Sequence, residues 1–559
     1  MVAAGTWIRT IAGLHPKQIV GRPSYRLRRA IAPHVATRLQ PWAFRIPDLP
    51  GVALSPTAFG DEQREALRRG ELALVGLAGA LPEDAPYIPA HDDPLYVYEF
   101  HQLGWFAGAL ATLPEADPLH GRLIDWLDRY LAWDHPGDSP YWDAYPLASR
   151  LLTLLPLAAR GFIGGKGIER ALGASAVAIL GLQETHLQGN HLLRSRAAAA
   201  VSSVFFEGPA SDSVAASAWT ALVREANAQF CADGVHEERT PTYHLLCISD
   251  LLVCIELARK AQTPAIRAEV EALVRIAARA LGALDVLTHV DGRIAAFGDS
   301  APASSLRSDD LRAFAAAVGI RSTGLLDVSK SGGWARQTAG TSGYTLLQSS
   351  GLSLFLSHGP FGAKHQPGHA HCDLFAFELD VEGTRMIVDP GVHAYHDTEW
   401  RLRSRASSVH ATPSVEGREQ AEIWSRFRCG WRPTVEPARW EAKPNGWRVD
   451  LRAAAFGPKP MPVERTIEFA GTQIRFVDRL PVEFSVALPL APDVEVRVDS
   501  RGASLVHPKA AKGIQVTLES GTLDLETCSI SHAFGARTPS CRLRLRSDAA
   551  GRLGWSLQA

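Results

Sequence analysis

Histidines and carboxylates gather between Gly368 and Thr412 at a spacing that suits a metal ion. His369, His371 and Asp373 stand two residues apart, and the two-residue period of a β-strand would put all three on one face. Val381-Glu382-Gly383 supplies a turn, Met386-Ile387-Val388 a second strand that delivers Asp389, and His410 follows on a later segment. Imidazole nitrogen and carboxylate oxygen both suit zinc in a tetrahedral site, so His, His, Asp and His read as a candidate ligand set. A solvated, exposed sheet face would use the same residues, since an isolated His-x-His pair says little about metal.

Three segments of the first half set polar groups into apolar patterns. Gly189-Asn190-His191-Leu192-Leu193 brings an amide and an imidazole to the start of a helical run, and Phe205-Phe206-Glu207-Gly208 follows. The charged loop DGVHEERTPTYH, Asp233 to His244, opens a helix at Thr240 or Pro241, a place that proline favours. Tyr243 and His244 then fall in the first turns, near the positive end of the helix dipole. That position favours a nearby anion and predicts a lowered Tyr243 pKa. Capping by Asn190 and His191, and plain packing by Tyr243, would account for the same residues without chemistry. The third segment, Tyr141 to Arg150 (YWDAYPLASR), is aromatic and ends in a guanidinium. With Trp105, Trp126 and Trp133 it would make a sugar-stacking wall, Arg150 reaching a carboxylate. Helical spacing places Trp126 and Trp133 in the core instead and leaves Tyr141, Trp142 and Tyr145 open.

These groups need a scaffold, and the hydrophobic period changes once along the chain. Up to about residue 320, Gln63–Leu81, Leu119–Leu131, Ser149–Arg160, Val214–Phe230, Thr242–Ala261 and Ala265–Ala283 carry apolar residues at three- and four-residue spacing. Short Gly, Pro or Asp punctuation separates them and no strict repeat recurs, which predicts a helical array or toroid. From about Gly340 the period is two. Runs such as LSLFLSH, ERTIEFA, QIRFVDRL and CRLRLRS alternate between turn residues, the pattern of an antiparallel sandwich. The expected organisation is α+β and multidomain: an N-terminal extension (1–60), a helical toroid (61–332) and a β-sandwich (333–559), with the boundary at Gly332-Gly333. Ligand clefts favour such junctions.

A chain of 559 residues is too long for one compact core. With 46% apolar and 21% charged residues it is ordinary for a soluble protein, and a net charge of −1 advertises neither nucleic acid nor an anionic membrane. Seven cysteines without a CxxC pair read as reduced thiols. Arg9, Lys17 and Arg22 interrupt the N-terminus before an apolar export segment can form, and no run reaches the ~18 apolar residues of a membrane span. A cytoplasmic location is therefore expected, with the periplasm or secretion as the alternative.

Taken in order, GNHLL with FFEG, DGVHEERTPTYH, and QPGHAHCDLFAFEL running on to VDPG and SSVHAT resemble the heparinase II/III-like polysaccharide lyases, from about Tyr96 to Arg432. The resemblance implies an incomplete α/α toroid followed by an antiparallel β-sandwich. It also implies β-elimination on a uronic-acid-containing polysaccharide, leaving a C4–C5 unsaturated end. Asn190 and His191 match the pair that binds and neutralises the substrate carboxylate. Tyr243 matches the tyrosine that protonates the leaving oxygen and, for some sugar configurations, removes the C5 proton, with His191 as the alternative base. His369 matches the histidine that leans in from the sandwich. His371, Asp389 and His410 match the ligands of a structural zinc, with Asp373 outside the set. Tyr141, Trp142, Tyr145, Arg150, Glu207, Arg239 and His244 complete the expected substrate-binding wall.

The sequence departs from the family in two places. Arg403-Ser404-Arg405 stands where Tyr-Phe-Arg-Ser is common, so an auxiliary tyrosine is missing or displaced to Tyr395, and Ala411 stands where Asn is frequent. Two rival readings remain. A glycoside hydrolase needs two carboxylic acids flanking the bond, and Glu207, Glu237 and Glu238 form no obvious pair. A non-catalytic glycan-binding or exopolysaccharide-assembly protein would not need Asn190, His191 and Tyr243 intact. The expected partner is an acidic polysaccharide, with oligomerisation open. Weakly charged exopolysaccharides, alginate-like chains or unsulfated glucuronate polymers suit the near-neutral chain better than heparin-type sulfates.

Overall fold

The computed structural model describes residues 3–38, 43–133, 135, 138–396 and 398–559. Its first half is helical. Phe100, Trp126, Leu151, Ile179, Leu193, Leu251 and Leu273 come from seven helices and meet in one apolar core. The Pro241–Ala261 helix runs through that core. Extended backbone at Thr240 and Pro241 in the first turn start it, and Gln262 in the left-handed region (φ 52°) stops it. Among the described residues it is the one helix long and apolar enough to cross a bilayer, yet its neighbours enclose it. Arg194 clasps Asp250 of this helix through two hydrogen bonds (2.8 and 3.0 Å) and reaches Ser149 Oγ at 3.1 Å, tying three helices together. Removing one partner of such a buried pair costs about 3–5 kcal/mol.

The sequence expectation fails for Gln63–Leu81. The helix there is short, Asp61–Arg68, and the rest is a hairpin, Glu71–Leu74 paired with Leu77–Ala80. Val75 and Gly76 both take positive φ at its turn (48° and 80°). A side chain at Gly76 would also collide with the backbone of Phe534 and Gly535, so the hairpin tip is seated against the β-domain.

The second half is two packed sheets with smaller additions. A six-stranded antiparallel meander runs from Asp327–Ser331 to Thr384–Ile387, so Gly332 and Gly333 form the turn of its first hairpin and the sheet begins just before them. A larger antiparallel sheet is built from residues 434 to 558. Burial alternates strictly along strands such as Met461–Ala470, inner residues joining the core and outer ones facing water. Between the sheets Phe377 packs on Phe476 (4.9 Å) and Phe476 stacks flat on Trp555 (4.0 Å, 4°).

The N-terminal extension holds two helices that strap the halves together. From Ala4–Ala12, Arg9 binds Glu422 and Trp7 packs on Trp424 at 4.7 Å. From Pro16–Arg38, Arg29 Nε donates to Asp143 Oδ1 at 2.8 Å.

Candidate active site

Asn190 and His191 open the Gly189–Ser203 helix after two residues of positive φ, Gln188 (65°) and Gly189 (56°). The glycine is required twice over, because a Cβ there would stand 1.9 Å from Glu238 Oε1. That close approach lets Glu238 accept from the Asn190 backbone N–H at 2.8 Å and from Asn190 Nδ2 at 3.1 and 2.9 Å. Burial alone would raise the Glu238 carboxyl, but His369, His236 and the Asn190 hydrogen bonds prevail and hold it below its usual range. Asn190 Oδ1 is left buried without a partner. His191 Nδ1 donates to Glu184 Oε2 at 3.1 Å and its ring lies 4.4 Å from Tyr145, while Nε2 makes no hydrogen bond among the described residues.

Tyr243 stands in the first turn of the Pro241–Ala261 helix, as the sequence indicates. Its hydroxyl is 2.8 Å from that of Tyr395 and its ring 4.2 Å from His369. The expected fall in pKa is corrected: burial, with Tyr395 and Asp299 beside it, pushes the phenol well above its usual value and outweighs the helix dipole. Tyr395 thus lies within hydrogen-bond reach of the Tyr243 hydroxyl, the position to which the sequence expects an auxiliary tyrosine to be displaced.

His369, His371 and Asp373 do not share a strand. Pro367–His369 is a single 3-10 turn, and regular pairing starts only at Phe377. The two histidines are instead gathered by Asp299, a toroid residue. His369 Nδ1 donates to its Oδ2 at 2.7 Å and His371 Nε2 to its Oδ1 at 2.8 Å. Arg401 grips both carboxylate oxygens and the Gly368 carbonyl (2.8 Å). Burial would raise the Asp299 carboxyl, but Arg401 and the two imidazoles hold it well below the ordinary range. Tyr395 and Phe427 each lie about 5 Å under the Arg401 guanidinium.

His371, Asp389 and His410 lie together and fully buried. The His371 and His410 rings are 5.3 Å apart, and His410 Nδ1 donates to Asp389 Oδ2 at 2.7 Å. His371 Nδ1 is buried with no partner. Among the described residues no three His, Cys, Asp or Glu stand in a metal-holding arrangement. The donor set still suits zinc, with one imidazole nitrogen waiting for a partner. Burial lifts the Asp373 carboxyl to about 6, beside His410 and Asp389.

The expected sugar-binding wall is mostly elsewhere. Tyr141 and Trp142 are core residues, Tyr141 stacked on His135 at 3.6 Å. Arg150 is fully buried and donates to the carbonyls of His101 and Tyr141, both at 3.1 Å. Trp105 and Trp126 are buried, whereas Trp133 is 43% exposed and stacks on Tyr87, so its expected core place is corrected. Glu207 is exposed on a two-residue strand. His244 is buried, donates to the Ala280 carbonyl at 3.1 Å, and burial drops its pKa to about 3. Arg239 spans the junction and donates to the Gly362 carbonyl, and only Tyr145 of the aromatic set touches a catalytic candidate.

Residues 332–556 match the heparinase II/III-like C-terminal domain, and residues 181–311 match the heparinase II/III N-terminus. The protein is in class a polysaccharide lyase, a carbon–oxygen lyase. The chain belongs to the heparinase II/III-like family. No curated protein matches its sequence. Its fold is similar to that of heparinase III (TM-score 0.70, 14% identity, covering 97% of this chain and 93% of that one). A heparan sulfate lyase from Pedobacter heparinus is also similar (TM-score 0.56, 15% identity, 96% and 88% covered). At such identities the likeness is one of fold.

Proposed function

We propose that this lyase cleaves a uronic-acid-containing acidic polysaccharide by β-elimination. The observation that carries the reading is the pairing across the junction: a protonated Tyr243 hydroxyl faces His369 on one side, and a carboxylate-backed His191 stands beside Asn190 on the other.

The C5 proton of a uronate is weakly acidic, because its removal piles negative charge on the neighbouring carboxylate. Asn190 binds that carboxylate through its amide N–H and stabilises the charge as it develops, which leaves His191 for the proton. His191, steadied at Nδ1 by Glu184, accepts the C5 proton at Nε2. The electron pair forms the C4–C5 double bond as the C4–O bond breaks. Tyr243, whose high pKa keeps it protonated, gives its proton to the departing oxygen, and Tyr395 and His369 hold it there. His371, Asp389 and His410 would hold a zinc ion that pins the sandwich segment carrying His369; the ion supplies rigidity. Among the described residues Glu238 is bound by Asn190, Glu184 by His191, and Glu207 lies on an outer strand, which argues against the free carboxylate pair that a hydrolase requires.

Incubation with a panel of uronate polysaccharides, followed by ultraviolet absorbance of the unsaturated product, tests the reading. A rise that Tyr243→Phe abolishes supports it; new reducing ends without absorbance would make the enzyme a hydrolase. Metal analysis of purified protein should find about one zinc per chain, and chelation should lower Tm.

A further inference from the structure

Arginines across this molecule are held by carboxylates, Arg194 by Asp250, Arg401 by Asp299 and Arg465 by Asp478, or, like Arg150, by main-chain carbonyls. One group, with Arg22 and Arg428 half-buried and Arg26 exposed, is held by neither among the described residues. Arg22 and Arg26, on the Pro16–Arg38 helix, and Arg428, on the hairpin joining Ile423–Ser425 to Arg428–Cys429, line a cavity of about 290 Å³ with Tyr25, His186 and Leu187. None of the three has an ion pair or a side-chain hydrogen bond among the described residues. Burial, and then Arg22, lower the Arg428 pKa. Burial, with Arg22 next, drops His186 to about 4, and its Nδ1 is buried without a partner. The positive charge is local. The first 47 residues hold eight Lys and Arg (9, 17, 22, 26, 28, 29, 38 and 45) and no Asp or Glu, in a chain of net charge −1.

The cavity is built from the segments that carry the catalytic groups. His186 and Leu187 lie on the loop that leads into Asn190 and His191. Tyr25 packs on His186 at 4.2 Å, and its hydroxyl accepts from the Ala144 N–H at 3.2 Å, one residue before the Tyr145 that covers His191. On the far wall Arg428 follows Phe427, whose ring is 6.0 Å from His369 and 5.4 Å from Tyr395. Through His186, whose charge His191 also disfavours, the cavity adjoins the catalytic groups. Its volume is near the lower limit of small-ligand pockets, roughly 300 Å³, which is room for one sugar unit.

We infer that Arg22, Arg26 and Arg428 form a subsite for a second anionic group of the polysaccharide, a carboxylate or a sulfate on a sugar beyond the bond that is cut. The inference rests on the lyase reading for its substrate, but not for its test. Three guanidiniums around one anion supply charge-assisted, bidentate hydrogen bonds. The enzyme then selects for acidic groups on successive sugars and discriminates against chains in which charge is sparse.

The test is direct binding, free of turnover, in the Tyr243→Phe full-length protein. Titration calorimetry with an unsulfated glucuronate–glucosamine hexasaccharide, its sulfated counterpart and an unsulfated disaccharide separates the sources. Arg22→Gln and Arg428→Gln should each weaken one or both hexasaccharides about tenfold or more, the size of a charge-assisted hydrogen bond, and leave the disaccharide unchanged. Loss confined to the sulfated hexasaccharide assigns a sulfate, and equal loss for both assigns a carboxylate. Arg26→Gln, at an exposed position, guards against misfolding of the more enclosed variants, and Arg22→Lys should recover part of the affinity. Unchanged hexasaccharide affinity in all three variants, or no binding of either hexasaccharide to the parent, overturns the subsite. Unsaturated product from the wild type in the same batch keeps the lyase reading alive in that case. Arginine-dependent binding without product would leave the subsite and remove the elimination.

Discussion

The two walls of the cleft use one device to different ends. On the toroid wall a carboxylate holds each working group by one side only: Glu184 takes His191 Nδ1 and leaves Nε2 free, and Glu238 takes the Asn190 amide. On the sandwich wall His369, His371 and Arg401 close around Asp299, a toroid carboxylate that they bury and saturate. On the proposed mechanism, the half-open wall is the one that exchanges protons with a substrate. The closed wall holds a shape, with Tyr243 and Tyr395 pressed between the two.

The sharpest way to break this contrast is Tyr243→Phe, which should lower kcat by about 10³-fold or more, within the range a positioned proton donor contributes, while calorimetry shows substrate affinity kept. Asp299→Asn should act on stability first. Leaving Arg401 buried without a countercharge costs about 3–5 kcal/mol, read as a lower urea midpoint. Glu184→Gln should lower kcat by roughly 10²-fold, the low end for general base catalysis, with the urea midpoint nearly unchanged. Equal stability losses in the last two variants would erase the distinction between the walls.

A smaller effect concerns pH. Tyr243 must be protonated to give its proton, so activity falls as pH rises through its pKa. Tyr395→Phe removes one of the influences that raise that pKa, after burial itself, and should shift the alkaline limb of kcat to lower pH. For stability the sign is opposite in pH. Asp299 has a depressed folded pKa, so its contribution is complete above the ordinary carboxylate value of about 4 and disappears as pH falls through the folded value. Acid unfolding of Asp299→Asn should therefore show a shallower pH dependence below about 4 than the parent.

The β-domain was legible because one face of each strand is buried, which writes a period of two into runs such as Met461–Ala470. The hairpin at Glu71–Ala80 was illegible because its turn uses Val75 in place of the Asn or Asp that advertises positive φ. The His-x-His-x-Asp alternation imitated a strand, but the His369 carbonyl accepts from the Asp299 N–H at 3.1 Å and not from a neighbouring strand. Asn190, His191, Tyr243 and His369 could be found because their residue types are rare in apolar helix starts and turns. Their holders could not. Asp299 sits in an unremarked Gly-Asp-Ser, and only folding brings it to residues 70 to 102 positions later. Arg150 looked like a ligand-binding cation, and sequence gave no warning that two main-chain carbonyls use it up.

That separation has a consequence for the order in which the protein comes into being. Synthesis proceeds from the N-terminus and domains fold as they emerge, so the toroid appears with the Asp299 carboxylate unpaired while His369, His371 and Arg401 are still untranslated. The newborn toroid is a dormant half-enzyme. On the proposed function a chain that stops before residue 401 should be inert, and a protein truncated at residue 400 that still yields unsaturated product would refute it.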